Sequence, residues 1–312
     1  MIGAMNKPNE VALTGAQYEI QAGGYRATVT ELGGGLRKLS HDGAPLITEY
    51  GIDEVPPGGA GQLLLPWPNR IDAGKYEFGG SNFQLELSEA AHGNAIHGLT
   101  RWSGWKPAAH IADEITLTQL LLGRPGYPFC LELAVNYRLD PADGLRVSVT
   151  ATNVGSRSAP YGTGCHPYLT TGATLVDACE LEVPAARWLP TDDRGIPSGP
   201  SQDVTGSQFD FRTARPIADT KLDHALTGLT RDESGRAWAR LSDGNRRLGL
   251  WTGPGYDWLQ VFTGDGLPAE HRRRALAIEP MTCPPNAFVS GESRITLASA
   301  DTVTHAWGIT VL

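Results

Sequence analysis

Strict alternation of apolar and polar residues recurs along the chain, and this feature most limits the possible folds. In residues 145–152 the odd positions are Leu, Val, Val and Ala, and the even ones are Arg, Ser, Thr and Thr. Residues 83–87 and 307–311 repeat the pattern. A period of two places alternate side chains on opposite faces of a strand, which predicts half-buried antiparallel strands. The 38 glycines and 22 prolines keep the segments short, and long helical periodicity is absent. The sequence therefore predicts an all-β fold.

Tight turns are predicted to join some of these strands. Lys75–Phe78 and Asn82–Leu87 flank the segment Gly79–Ser81, an arrangement typical of a β-hairpin. Pro141–Gly144 predicts another turn directly before the strand at 145–152.

The domain organisation follows from the same succession of strands. A length of 312 residues alone allows one domain or two. No linker, composition break or repeat of fixed period interrupts the strands. We therefore expect one large antiparallel domain over residues 11–312, preceded by a flexible leader at residues 1–10. Such a domain hides its strand edges by packing as a sandwich or by closing into a barrel.

The charge balance excludes several classes of partner. The chain has 26 basic and 34 acidic residues and a formal net charge of -8. This balance argues against nucleic acid and against an anionic membrane surface as partners. No apolar stretch is long enough to span a bilayer, and the N-terminus lacks a signal-peptide pattern. We expect a soluble, cytoplasmic protein.

The cysteines and histidines do not form a familiar metal or nucleophile motif. Cys130, Cys165, Cys179 and Cys283 contain no CxxC pair and are expected to be free thiols. Cys165 would point to the opposite strand face from His166, which argues against a nucleophilic pair. The eight histidines form no HxH, HxxH or HExxH motif, so a zinc hydrolase is not expected. GxSxG, P-loop and GxGxxG motifs are also absent.

Glu279 is the strongest candidate for a reactive group. It follows four small or apolar residues in Ala275–Met281, and a proline follows it. This run predicts a buried strand that ends at Glu279. Burial disfavours the charged carboxylate and raises its pKa toward the range useful for a general base.

Three further segments combine apolar walls with a polar group. Leu63–Ile71 places Arg70 after a proline-stiffened tryptophan, where a guanidinium can bind an oxygen-rich ligand or pair with a nearby carboxylate such as Asp72. Gly93–Leu99 contains His97 between glycines, and Tyr161–Leu169 contains His166 between glycines on one side and a proline on the other. A carboxylate, histidines and aromatic side chains together suit a neutral polyol or sugar.

Taken together, these segments resemble the aldose 1-epimerase family, the galactose mutarotases. They occur in the family's order from about Gly34 to the C-terminus. The matching segments are Pro68–Ile71, Asn94–Leu99, Gly164–Tyr168, Leu222–His224, Leu259–Gly264, Ala277–Pro280 and Pro285–Phe288. Membership implies a large antiparallel β-sandwich that works on a sugar without a metal or an organic cofactor. We expect a small-molecule sugar as the partner and a monomer or a homodimer.

The resemblance also implies roles for individual residues. Glu279 falls at the general base, His166 at the general acid and His97 at the second active-site histidine. The residues that fall at sugar contacts are Arg70, Asp223 and Gln260, with Asn69 and Trp67 from the same segment as Arg70. Leu169 departs from the phenylalanine of many relatives, which predicts a different wall beside the acid.

The resemblance leaves the substrate open. Glu270–Arg274 lies just before the Glu279 strand, and Arg272, Arg273 and Arg274 are candidate ligands for a sulfonate or phosphate on C6. They are also consistent with a solvated basic loop, which is the interpretation that we favour. If these arginines bind such an anion, the substrate is sulfoquinovose or a hexose 6-phosphate. The candidate site residues as a whole are also compatible with a non-catalytic carbohydrate-binding protein and with a glycoside hydrolase that uses Glu279 together with Asp223.

Overall fold

The computed structural model describes residues 11–312, and the leader proposed at residues 1–10 lies outside them. Strands account for nearly all of the regular structure. The strands of the described residues are, in chain order, β1 (Gln17–Ala22), β2 (Tyr25–Thr30), β3 (Leu36–His41), β4 (Ala44–Pro45), β5 (Leu63–Leu64), β6 (Arg70–Asp72), β7 (Lys75–Phe78), β8 (Ser81–Gln84), β9 (Asn94–Ile96), β10 (Lys106–His110), β11 (Glu114–Leu121), β12 (Leu131–Asp140), β13 (Gly144–Asn153), β14 (Ala159–Tyr161), β15 (Gly164–Cys165), β16 (Tyr168–Leu169), β17 (Glu180–Glu182), β18 (Ala185–Trp188), β19 (Gln202–Asp203), β20 (Arg215–Pro216), β21 (Asp223–Leu229), β22 (Ala237–Ser242), β23 (Arg247–Thr252), β24 (Trp258–Phe262), β25 (Leu276–Met281), β26 (Ile295–Leu297) and β27 (Thr302–Val311).

Helical structure is limited to three short segments in this part of the chain. They are the 3₁₀ turns Pro57–Gly59 and Val176–Ala178 and the α-helix α1 (Ala287–Ser290). None of these helices has the length or the apolar character needed to cross a bilayer.

Two large sheets dominate the architecture, and every pairing between their strands is antiparallel. The first has nine strands in the order β10-β11-β12-β13-β27-β23-β22-β17-β20. The second has eight, in the order β19-β18-β21-β24-β25-β15-β5, with β16 also paired to β25. A third sheet contains four strands in the order β1-β2-β3-β4. The predicted all-β antiparallel fold is confirmed, and so is the hairpin of β7 and β8, which ends at Gln84 rather than Leu87.

One continuous apolar core joins the two large sheets. Val147 and Trp307 from the nine-stranded sheet lie in the same buried cluster as Val261 and Ile278 from the eight-stranded sheet. Each is 0% exposed. The alternation seen in the sequence supplies these residues, because every second side chain of each strand faces the cluster.

The strand that carries Glu279 has two differently used faces. Leu276 and Ile278 point into the core cluster, whereas Ala277 belongs to a separate small cluster with Tyr168. Glu279 shares the face of Ala277 because side chains alternate. The strand continues through Pro280 to Met281, so the expectation that it ends at Glu279 is wrong. Proline is accommodated there because β25 still pairs in register with β24 on one side.

If residues 11–312 form one domain, unfolding should be a single transition that depends on the shared core. Leu117→Ala in β11 removes a fully buried side chain and should lower the free energy of unfolding by about 2–5 kcal/mol. Leu120→Ala, in the same strand but 56% exposed, is the matched control and should change it by less than about 0.5 kcal/mol. Urea titrations followed by circular dichroism and by tryptophan fluorescence provide the measurement. Two separate transitions would contradict the single domain.

Candidate active site

Three polar residues of the eight-stranded sheet meet on its non-core face. The register pairs Gln260 of β24 directly with Glu279 of β25. Asp223 at the start of β21 pairs with Phe262, two residues beyond Gln260. The amide nitrogen Nε2 of Gln260 donates a 2.6 Å hydrogen bond to Asp223 Oδ1. Strand pairing alone therefore brings together a base candidate and two sugar-contact candidates that lie far apart in sequence.

Glu279 and His166 form a buried pair at the centre of this face. Nε2 of His166 lies 3.2 Å from Oε1 of Glu279, and the two side chains are 6% and 3% exposed. At this distance a proton can pass directly between them. The two residues that the family resemblance designates as base and acid therefore lie within proton-transfer distance of each other.

The imidazole of His166 is held in place by its neighbours. Tyr168 stacks on it, with ring centroids 4.8 Å apart and planes inclined by 19°. The Tyr168 hydroxyl donates to the carbonyl of Gly58 at 3.0 Å. The backbone N–H of His166 donates to the carbonyl of Gln62 at 3.0 Å. These contacts fix the ring orientation while Nε2 stays directed at Glu279.

Burial shifts the pKa values of the pair in opposite directions. Desolvation, reinforced by the nearby Asp223 charge and opposed by Arg70, raises the pKa of Glu279 well above its ordinary value. Desolvation, together with the positive charges of Arg101 and Arg70, lowers the pKa of His166 to about 3. Both shifts favour the neutral forms, so burial favours a shared proton on Glu279 over one on His166.

His97 contacts the pair from the side and is itself tightly held. Its ring centroid lies 5.5 Å from that of His166. The backbone N–H of His97 donates to the Asn69 carbonyl at 2.9 Å, and the ring nitrogen Nδ1 of His97 accepts from the backbone N–H of Asn69 at 3.2 Å. Because Nδ1 accepts, Nε2 carries the ring hydrogen and can donate to a ligand. Burial lowers the pKa of His97 well below its ordinary value, which favours the neutral imidazole.

The backbone at His97 occupies an unusual conformation that the adjacent glycine makes feasible. His97 and Asn69 have φ angles of 60° and 54°, which are uncommon for residues with a Cβ. Gly98 follows with φ of +73°, and a Cβ there would lie 1.9 Å from the Leu65 carbonyl oxygen. Strained backbone of this kind is concentrated at functional sites. The close approach of Gly98 to Leu65 therefore sets the position of His97.

Arg70 lies at the edge of the same site and is anchored by a carboxylate. Its Nε and Nη2 donate to the two oxygens of Glu89 at 2.9 Å each in the bidentate arrangement. Asn94 donates a further hydrogen bond to Glu89 at 3.1 Å. The partner is thus Glu89 and not Asp72, which instead pairs with Arg194 at 2.8 Å. Arg70 still affects the pKa of Glu279, and this places it within electrostatic range of the base.

Several buried polar atoms of the site have no hydrogen-bond partner among residues 11–312. Oε2 of Glu279, Nδ1 of His166 and Oε1 of Gln260 are in this state. A buried polar atom without a partner costs about 1–3 kcal/mol. Their concentration on one face is the arrangement expected of a site that takes a hydroxyl-rich ligand.

Two groups of predicted site residues lie elsewhere. Trp67 is 2% exposed and packs in the core, with its ring centroid 5.6 Å from that of Phe288. Arg273 forms ion pairs with Asp177 at 2.7 Å and with Asp265 at 3.1 Å. It therefore holds the loop together and is not free for a ligand.

The neighbours of Arg273 are exposed and lie close to the loop backbone. Nε of Arg272 donates to the Leu267 carbonyl at 3.3 Å, and Nη1 of Arg274 to the Thr174 carbonyl at 3.4 Å.

Sequence reasoning gave no role to three residues that the structure brings to the site: Tyr168, Glu89 and Arg101. Tyr168 follows His166 closely in sequence, whereas Glu89 and Arg101 stand in turns without a recognisable pattern.

Comparisons with known proteins relate nearly the whole chain to one family. A family model described as aldose 1-epimerase matches residues 16–310. The uncharacterized protein YihR of Escherichia coli (strain K12) is 36% identical over 287 residues, which cover 92% of this chain and 90% of that protein. The aldose 1-epimerase of the same organism is 27% identical over 66% of this chain and 64% of its own length.

Solved structures share the fold. The GalM/aldose epimerase homologue of C. elegans superposes with a TM-score of 0.83 at 20% identity, covering 95% of this chain and 99% of that one. Galactose 1-epimerase from Lactobacillus acidophilus NCFM gives a TM-score of 0.79 at 22% identity, with 99% and 98% covered. The fold is therefore the galactose mutarotase-like β-sandwich.

The Gly98 contact predicts an unusually costly glycine replacement. Gly98→Ala should destabilise the protein both by its left-handed backbone and by overlap with Leu65. Gly79→Ala, also at positive φ but with nothing within 4 Å of a Cβ, isolates the backbone contribution, about 1–2 kcal/mol. Gly98→Ala should exceed it by about 2 kcal/mol or more in urea unfolding. Equal losses would show that the Leu65 contact does not constrain this segment.

Proposed function

Because the chain belongs to the aldose 1-epimerase family, we propose that it is a mutarotase that interconverts the α and β anomers of a free aldohexose. Named relatives are epimerases and mutarotases, that is, isomerases. In this proposal Glu279 is the general base and His166 the general acid. His97, Arg70, Gln260, Asp223 and Asn69 bind the sugar.

The buried contact between His166 and Glu279 carries this proposal. A protein that only binds sugar has no need to bury an acid–base pair at 3.2 Å on one face of a sheet. Mutarotation requires such a pair: the proton of the C1 hydroxyl must leave while the ring oxygen gains one. Free alkoxide and oxonium intermediates are avoided when both transfers occur together.

The proton count of the pair explains how ring opening proceeds. The reactive form has an ionised Glu279 and a protonated His166, which the resting pair reaches by moving its single proton across 3.2 Å. Glu279 then takes the C1 hydroxyl proton, and His166 gives a proton to the ring oxygen as the C1–O5 bond breaks. The products are an open-chain aldehyde and the neutral pair, which burial favours.

Ring closure is the reverse of these transfers. After rotation about C1–C2, the C5 hydroxyl attacks the other face of the aldehyde. His166 accepts the proton of that hydroxyl, and Glu279 returns its proton to O1. The pair ends with the number of protons it began with, so the cycle is complete without external proton exchange.

Glu279→Gln tests the role of the base. The variant retains the shape of the side chain but cannot accept the C1 proton, so kcat should fall by about 10²–10⁴-fold. Sugar affinity, measured by calorimetry, should change little. Glu180→Gln, which alters an exposed carboxylate of β17, is the control and should be fully active.

Polarimetry on freshly dissolved glucose and galactose provides the rate measurement for these variants. Retained catalysis in Glu279→Gln would contradict the mechanism. Release of a reducing sugar from a methyl glycoside by the unmodified protein would indicate a hydrolase instead.

The pKa shifts predict the pH dependence of kcat/KM. Activity requires one proton on the pair. A second proton is added only near the lowered pKa of His166, about 3, and the single proton is lost only above the raised pKa of Glu279. The profile should therefore be bell-shaped with a wide plateau that extends well below pH 6.5 and well above pH 4.5. A narrow optimum between these ordinary values would show that burial does not control the pair.

A further inference from the structure

Arg101 is a cation on the histidine side of the site, and no ion pair within residues 11–312 matches its charge. It lies in the turn after β9, and its Nη1 and Nη2 approach Gln62 Oε1 at 3.3 Å and the Ile96 carbonyl at 3.5 Å. Ile96 precedes His97, and the carbonyl of Gln62 accepts the backbone N–H of His166. The guanidinium is thus attached to the supports of both histidines.

The hydrogen-bonding capacity of this guanidinium is largely unused. A guanidinium has five N–H donors, and the two contacts of Arg101 lie near the upper limit of hydrogen-bond length. Its Nε is buried without a partner, and within residues 11–312 no carboxylate forms an ion pair with it. The charge of Glu89 raises the pKa of Arg101, but the oxygens of Glu89 are occupied by Arg70 and Asn94.

Other arginines of the chain show what a satisfied guanidinium looks like. Arg70 is held by a bidentate carboxylate, and Arg273 by two aspartates. Arg37, which is more buried, donates at 2.7 Å to Gln17 and at 3.0 Å to the Tyr50 carbonyl. Arg101 lacks contacts of this quality.

The environment of Arg101 is costly for a charge. Burial lowers its pKa to about 10, so it stays positive at neutral pH. The ring of Trp102, with its centroid 5.3 Å away, covers one side. Trp102 is 52% exposed, and an exposed aromatic face contributes only about 0.5–1 kcal/mol. A partly buried cation with free donors is suited to an anionic ligand group.

The position of Arg101 indicates which part of a sugar would reach it. If His166 protonates the ring oxygen, as in the proposed function, the atoms next to His166 are the ring oxygen and C5. C5 carries C6, so the exocyclic group lies on the histidine side, away from the C1 hydroxyl at Glu279. We propose that Arg101 binds an oxyanion on C6 of the aldohexose, a sulfonate or a phosphate, and so selects a 6-anionic substrate.

This inference rests on the proposed mutarotase function but moves anion recognition away from Arg272, Arg273 and Arg274. Arg273 is already neutralised by Asp177 and Asp265. Its two neighbours are exposed and contact backbone carbonyls of the loop region. Arg101, in contrast, lowers the pKa of both His97 and His166 and therefore lies within electrostatic range of the reacting groups.

The test compares anomerisation of glucose, glucose 6-phosphate, 6-deoxy-6-sulfoglucose and glucuronate by magnetisation-exchange NMR, with the uncatalysed rate subtracted. The unmodified protein should prefer the sulfonate or the phosphate, and whichever is faster identifies the oxyanion. In Arg101→Met, the ratio of kcat/KM for that sugar to kcat/KM for glucose should fall by about 10- to 100-fold. Arg101→Lys should retain part of it, because it keeps the charge but loses the fork.

Arg124→Met is the matched control, since Arg124 is exposed in a turn outside the site, and its ratio should stay at the unmodified value. A preference for glucose in the unmodified protein, or for glucuronate over both tetrahedral anions, would overturn the proposal. So would equal losses on charged and neutral sugars in Arg101→Met, which would make Arg101 a purely structural residue.

Binding of non-reacting analogues separates this inference from the proposed function. Methyl glycosides cannot open their ring, so calorimetry with methyl 6-deoxy-6-sulfoglucoside and with methyl glucoside measures recognition without catalysis. If the unmodified protein binds the anionic glycoside and Arg101→Met weakens that binding, the anion site is supported even if no sugar is anomerised. Anomerisation of glucose without any difference between the two glycosides would leave the mutarotase standing and refute the anion site.

Discussion

The antiparallel pairing of β24 with β25 is the constraint on which the site depends. It sets Gln260 opposite Glu279 on one face of the sheet and directs Val261 and Ile278 into the core from the other. A shift of one residue would reverse both faces, placing a carboxylate in the core and core side chains in the site. The hydrophobic core therefore fixes the register, and the register fixes the position of the base. Stability and chemistry are linked through the same two strands.

The cost of the site is concentrated in polar groups that the fold buries without partners. Oε2 of Glu279, Nδ1 of His166, Oε1 of Gln260 and Nε of Arg101 are all in this state among the described residues. Each would be less costly in water, so the core of the two large sheets must offset them. A ligand that supplies donors and acceptors to these atoms recovers part of that free energy on binding. This provides a physical reason for tight complementarity to a polyhydroxylated molecule.

The fold and the burial of Glu279 could be predicted from the sequence because both have local patterns, whereas the pairing of Glu279 with His166 was implied by the family resemblance. Alternation specifies strands such as β13, and an apolar run before a carboxylate marks Glu279 as buried. The rest depends on contacts that no local pattern contains. Glu89 becomes the partner of Arg70 only through folding of a turn, and Asp177 neutralises Arg273 from a distant part of the chain.

The basic run at residues 270–274 and the aromatic Trp67 show the limit of reasoning from residue type. An arginine-rich loop is compatible with anion binding and with structural ion pairing, and only the neighbouring carboxylates decide between them. A buried tryptophan is compatible with a sugar platform and with a core. Trp67 packs against Phe288. Arg101, a single arginine in a turn, carries no sequence pattern, yet it lies beside the histidines without an ion-pair partner among the residues that the structure describes.

The charges around the pair connect substrate recognition with proton transfer. Asp223 helps to raise the pKa of Glu279, and Arg101 helps to lower that of His166. These shifts make the ionised pair more reactive but less populated. Protons are only partly transferred in the transition state. The higher reactivity of the ionised pair therefore compensates for only part of the decrease in the fraction of molecules that carry it. An oxyanion bound to Arg101 would cancel its charge, raise the pKa of His166 and increase the population of the reactive pair only when such a substrate is present.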